Sequence, residues 1–168
     1  MTPEHESFVD LIEDWIKKEF NNSIFWCLKR DNKEVPGSLE RRSNINIGPR
    51  PMGKTGKKPD ITCEPPGKGI FLLGEAKSSN RGGIISESRS IKQLDIFFED
   101  LALMAKRAHI NNYDMKFYFI VALPCAQEPF ASEYFDNQLK EKKNKLLSKK
   151  FKWQLLTENH KLYKYPHE

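Results

Sequence analysis

The chain has 168 residues, of which 38% are hydrophobic and 30% charged, with a formal net charge of +5. That length suits one domain with one core, residues 1–168, and that apolar content excludes a disordered tail. No apolar run approaches the ~20 residues of a membrane span, and Met1-Thr2-Pro3-Glu4-His5-Glu6 lacks the basic-then-apolar order of a secretion signal. A cytoplasmic protein without membrane contact is therefore expected; Cys27, Cys63 and Cys125 show no zinc-ligand spacing, and Cys27 and Cys63, which lie in apolar, strand-like runs, are expected as buried free thiols.

In chain order, Thr2 and Pro3 read as the cap and first residue of a helix with Phe8, Leu11, Ile12, Trp15, Ile16 and Glu19 on one face. Asn21-Asn22 ends it, and residues 23–29 (SIFWCLK) form a strand. Residues 31–58 carry Pro36-Gly37, Gly48-Pro49, Pro51, Gly53 and Gly56, which predicts a long loop or irregular hairpin. Strands follow at 59–64 (PDITCE) and 70–77 (IFLLGEAK), joined by a turn at 65–69. The second begins as a continuous apolar run, as buried central strands do. After a polar loop comes a helix from about Ser90 to about Ala108, a strand at 116–123, a charged helix at 130–147 and a further strand at 151–156. A hairpin followed by a helical crossover predicts an α/β domain with a mixed central sheet flanked by helices, in α-β-β-β-α-β order.

The cations are clustered. Arg41, Arg42, Arg50, Lys54, Lys57 and Lys58 fall in the long loop, and Lys140, Lys142, Lys143, Lys145, Lys149, Lys150 and Lys152 near the C-terminus. Clustered cations suggest a polyanionic partner. The second group reads equally well as a solvated helix face, since Glu141 interrupts it. His5, His109, His160 and His167 are scattered without ligand spacing and are expected at the surface.

The chemistry-bearing pattern is Pro59-Asp60, fourteen intervening residues, then Glu75-Ala76-Lys77. Asp60 opens one strand and Glu75 ends the next. A tight turn pairs those strands antiparallel, so the two carboxylates meet at one sheet edge. Glu75 and Lys77 are two apart on a strand and share a face. Two close carboxylates are ligands for a hard cation, and Mg²⁺ takes one or two, leaving room for water and phosphate. Such a cation stabilises charge on a phosphodiester and acidifies a bound water, and Lys77 is then suited to position or deprotonate the attacking water.

These residues resemble the PD-(D/E)xK nuclease superfamily, which includes restriction endonucleases, Holliday junction resolvases and RecB-like nucleases. Pro59-Asp60 matches the first half-motif, Glu75-Ala76-Lys77 the second, and the element order over residues 4–123 is similar to the restriction endonuclease-like core. The resemblance implies an endodeoxyribonuclease using Mg²⁺, with Mn²⁺ as a substitute, and with Asp60 and Glu75 as metal ligands. A resolvase or RecB-like exonuclease is the alternative, and a non-catalytic nucleic-acid-binding protein the alternative of another class. Related nucleases carry Gln-x-x-x-Tyr on the following helix. Here Gln93 is present and Phe97 replaces the Tyr, and Gln93 needs a partner such as Lys77 or water. Many members supply a further acid from the first helix. Helical phase puts Glu4 and Glu19 on the inner face and Glu6 and Glu13 opposite, and the resemblance, which implies an acid in the N-terminal turn, favours Glu4 over Glu19. DNA contacts are expected from Arg41, Arg42, Arg50, Lys54, Lys57, Lys58 and Arg81. A small nuclease cutting both strands is expected as a symmetric homodimer.

Overall fold

A strand whose apolar residues run without alternation must be covered on both faces, and Ile70–Ala76 is buried throughout its length. A computed structural model describes residues 3–20, 26–31, 33–35, 59–64, 69–77, 88–157 and 162–165. The elements are α1 (Pro3–Glu19), β1 (Trp26–Arg30), β2 (Lys33–Glu34), β3 (Ile61–Glu64), β4 (Ile70–Ala76), α2 (Ser88–Ile110), β5 (Lys116–Ala122), α3 (Glu128–Lys140), α4 (Lys145–Ser148), β6 (Phe151–Leu156) and β7 (Leu162–Tyr165). One sheet of seven strands runs in the order β2-β1-β3-β4-β5-β6-β7. β2, β1, β3 and β4 pair antiparallel, β4, β5 and β6 pair parallel, and β7 returns antiparallel on β6. The protein is therefore α/β, with a mixed sheet flanked by helices.

Alternation along β4 assigns each face its helices. Ile70, Leu72 and Ala76 pack with Phe8, Val9, Ile12, Trp15 and Ile16 of α1. Phe71 and Leu73 pack on the other side with Leu94, Phe97, Phe98 and Leu101 of α2. Gly74 faces α1 at close quarters: a Cβ there would stand 2.8 Å from Ile12 Cγ2. On the α2 side, Phe98, Phe119, Phe135, Phe151 and Trp153 form a ring cluster, with Phe135 and Trp153 stacked at 4.6 Å. Each such buried ring contributes on the order of 1.5–3 kcal/mol through its area alone.

Three departures from the sequence reading concern the helices. The expected single helix over 130–147 is broken. Glu141 is extended (φ −71°, ψ 139°), a 3-10 turn follows at Lys142–Asn144, and α4 starts at Lys145. Asn144 explains the break: it is buried and its Nδ2 donates to the Gln138 carbonyl at 2.8 Å. That carbonyl, near the end of α3, also accepts the Glu141 N–H at 3.3 Å, and the turn swings Leu147 into the core. Second, the inner face of α1 includes Val9, while Glu19 is exposed and Leu11 only half-buried. Third, Glu6 and Glu13 do not simply face water. With Asp10 they surround the Arg30 guanidinium, whose Nη1 lies 2.6 Å from Asp10 Oδ1 and whose Nη2 lies 2.9 Å from Glu6 Oε2, tying α1 to β1. No helix among the described residues is long and apolar enough to cross a membrane. Cys63 is buried and Cys125 half-buried.

Candidate active site

The β3–β4 register builds the site. Ile61 pairs with Gly74, Thr62 with Leu73 and Cys63 with Leu72, so one step further along the ladder Asp60 stands opposite Glu75. Asp60 Oδ2 accepts the Ala76 backbone N–H at 2.8 Å, which fixes its carboxylate against the end of β4. Glu75 and Lys77 point to the α2 face, with Phe71 and Leu73. Lys77 is anchored by its backbone N–H, which donates to the Ala122 carbonyl at 2.8 Å on β5. Its ammonium donates to the Gln93 side-chain carbonyl on α2. The edge therefore gathers Asp60, Glu75, Lys77 and Gln93 from three elements.

One residue at this edge was missed in the sequence. His5, expected at the surface, is half-buried, and its Nε2 lies 3.1 Å from Asp60 Oδ1. A signal for it existed: His5, Val9, Ile12 and Ile16 follow one another at helical spacing, and the last three are buried. Of the other histidines, His109 is exposed as expected, while His160 and His167 lie outside the described residues. The Glu4 side chain also lies outside them, as do Arg41, Arg42, Arg50, Lys54, Lys57, Lys58 and Arg81.

Glu75 is 3% exposed. Burial above all, then the facing Asp60 carboxylate, holds its carboxyl well above the usual range, with Lys77 opposing. For Asp60 burial pushes upward too, but hydrogen bonds from Glu75, the Ala76 N–H and His5 outweigh it, and its carboxyl stays below the usual range. Of the two carboxyls, Glu75 is therefore the one that holds a proton more tightly and Asp60 the one that ionises first. Like charges this close do not both ionise unaided.

A hard divalent cation fits this donor set. Glu75 Oε2 is buried and has no hydrogen-bond partner, which is costly unless something occupies it. Asp60 supplies the second carboxylate beside it. Among the described residues no three His, Cys, Asp or Glu side chains are arranged to hold a metal. Two carboxylates suit Mg²⁺ better than a fully protein-caged ion, because Mg²⁺ retains water and takes substrate oxygens.

Comparison with family models, with curated proteins and with solved structures returned no match.

Proposed function

We propose that this chain is a metal-dependent deoxyribonuclease of the PD-(D/E)xK type, an endonuclease that hydrolyses DNA phosphodiester bonds. The observation that carries the reading is the pairing of Asp60 with a buried Glu75 whose Oε2 has no partner, with Lys77 on the same face of β4 two residues on. The order α1-β1-β2-β3-β4-α2-β5, with its antiparallel-to-parallel switch at β4, is similar to that of a restriction endonuclease-like core apart from the two-residue β2, and supports the reading.

Asp60 and Glu75 would hold Mg²⁺ or Mn²⁺. When bound, the cation supplies charge stabilisation at the scissile phosphate and a more acidic water. Asp60 is oriented for this by the Ala76 N–H and by His5. Glu75 would hold the ion as an ionised carboxylate, as a ligand carboxylate must. Lys77, steered by Gln93, presents an ammonium beside the attacking water and the developing negative charge. The cations of residues 31–58 and Arg81 would supply phosphate contacts. A cytoplasmic setting belongs to the same reading, and double-strand cutting would call for a homodimer.

The test is cleavage of linear, circular, branched and single-stranded DNA by the full chain, with Mg²⁺ and with EDTA. Mg²⁺-dependent nicking or linearisation of circular DNA is the expected result. Cutting only from ends would replace the endonuclease reading by an exonuclease, and no cutting of any substrate would refute nuclease activity.

A further inference from the structure

The sheet has a second pole, opposite the carboxylates. Lys116 opens β5 and pairs with Ile70, while Ala122 closes it and pairs with Ala76. Six residue steps separate those levels, roughly 20 Å at about 3.3 Å per step. α2 runs from Gln93, beside Lys77, to Ile110, at the far end. α3 runs the same way, from the turn after β5 to Lys140.

Segments 106–116 and 140–150 meet at that far end. The Phe117 N–H donates to the Lys150 carbonyl at 2.8 Å, and Lys150 Nζ lies 2.8 Å from Asp114 Oδ1. Together these segments hold nine Lys and Arg residues against two acids, Asp114 and Glu141. Their net charge of +7 exceeds the +5 of the whole chain. Lys143 pairs with Glu141 and Lys150 with Asp114. The remaining seven cations have no ion pair among the described residues. Lys140, Lys142, Lys145 and Lys149 are exposed.

The mounting is rigid. Asn144 and Leu147 are buried between these lysines, and Asn144 is bonded to Gln138. A solvated helix face alternates its charges, whereas these lysines are held at one end of the sheet on a turn and a short helix. Such concentration of unpaired charge costs stability through self-repulsion and is relieved by a polyanion. The patch carries one strongly exposed apolar side chain, Ile110, too little for an apolar face that inserts into lipid.

We infer that this pole is a second nucleic-acid-binding surface, which grips the phosphate backbone of duplex DNA away from the Asp60–Glu75 edge. It extends the nuclease reading without requiring it. A straight duplex lying on the carboxylate edge does not also reach a pole about 20 Å behind it, so the pole holds a separate stretch of DNA, on a bent or second duplex.

The test is a charge-swap variant of the full chain, Lys142→Glu/Lys145→Glu/Lys149→Glu, with Lys→Gln at the same sites as a milder version. Thermal melting verifies folding. Binding to a fluorescent duplex of about 40 base pairs is measured in EDTA over a salt series, alongside vesicles of phosphatidylserine and phosphatidylcholine. The expected result is at least a tenfold loss of DNA affinity, with the log K against log [salt] slope flatter by about 2–3 for the three lost phosphate contacts. Unchanged affinity and slope would overturn the proposal, as would loss of vesicle binding with DNA binding intact. In Mg²⁺, cleavage of a short duplex at saturating concentration should be the same in variant and parent. A drop there matching the binding loss would assign these lysines to the carboxylate site and overturn the separate surface. If the parent cuts nothing but the variant still loses DNA binding, the nuclease reading fails and this surface stands.

Discussion

His5 reaches across fifty-five residues of sequence to put its Nε2 3.1 Å from Asp60 Oδ1. The other Asp60 oxygen is held by the Ala76 N–H at 2.8 Å, so the two bonds together fix the plane of the carboxylate. Groups that orient a metal ligand typically contribute 10–100-fold to affinity or activity. His5→Ala is expected to weaken Mg²⁺ activation of cleavage by about that factor, and to lower stability by only about 1 kcal/mol, as for a lost hydrogen bond. His5→Gln, which retains a donor, should recover part of the activity. Mg²⁺ titration and thermal melting of both variants measure the two effects, and full activity in His5→Ala would dismiss the orienting role.

Glu75 and Asp60 should leave opposite marks on stability against pH. A carboxyl with a raised folded-state pKa, as in Glu75, stabilises fully below its unfolded pKa, and the contribution is lost as pH rises toward the folded value. A carboxyl with a lowered pKa, as in Asp60, stabilises above its unfolded pKa and loses this as pH falls toward the folded value. Glu75→Gln keeps the uncharged shape at every pH. In EDTA its Tm relative to the parent should therefore rise as the pH climbs above 4.5, the ordinary Glu value, toward the raised folded-state value. Asp60→Asn should lose most relative to the parent at neutral pH and least in acid. A pH-independent Tm difference for Glu75→Gln would mean that Glu75 is not held protonated by its surroundings.

Lys77 and Gln93 are bonded to each other and should act as one unit. Lys77→Ala is expected to abolish cleavage, and Gln93→Ala to reduce it by about tenfold. The double variant should be no worse than Lys77→Ala alone, because the effects of residues that act together are not additive. Ca²⁺, which tolerates looser geometry, should support DNA binding by the parent without cutting. Single-turnover rates in Mg²⁺ and Ca²⁺ test all of these.

Gly74 leaves no room for a side chain, since its Cβ would lie 2.8 Å from Ile12 Cγ2. Gly74→Ala should destabilise by about 1–3 kcal/mol, the usual cost of overpacking. Ile12→Ala removes the clashing atoms but opens a cavity at a fully buried site. In the double variant the two defects should compensate, with a coupling energy of about 1 kcal/mol or more between these touching positions. Chemical denaturation of the four species provides the measurement.

The pairing of Asp60 with Glu75 was legible in the sequence because it is local. Breakers at 65–69 join two short apolar strands, and a hairpin leaves few choices of register. Lys77 followed from the two-residue period of a strand, and Gln93 from the resemblance to Gln-x-x-x-Tyr on the following helix. His5 was not legible as a partner of Asp60: no local rule joins α1 to the start of β3, and that meeting depends on how α1 lies across the sheet. The break between α3 and α4 was hidden for another reason. The lysine-rich stretch fits a continuous helix by composition, and what interrupts it is one polar side chain, Asn144, finding the end of α3. Arg30 with its three acidic partners was invisible too, since β1 meets α1 only in three dimensions.

The β3–β4 hairpin also has a kinetic consequence. It brings Asp60 and Glu75 face to face by closing a short loop, whereas the β4–β5 register must first join Ile70 to Lys116 around α2. Loop closure grows costlier with length, so the hairpin is favoured to form while α2 is still undocked. At that stage Glu75 is in water and ionised at neutral pH, and it becomes a buried acid only when α2 settles over that face of β4. Docking of α2 therefore raises the proton affinity of Glu75, and the stability gained in that step should fall as the pH rises above the ordinary Glu value.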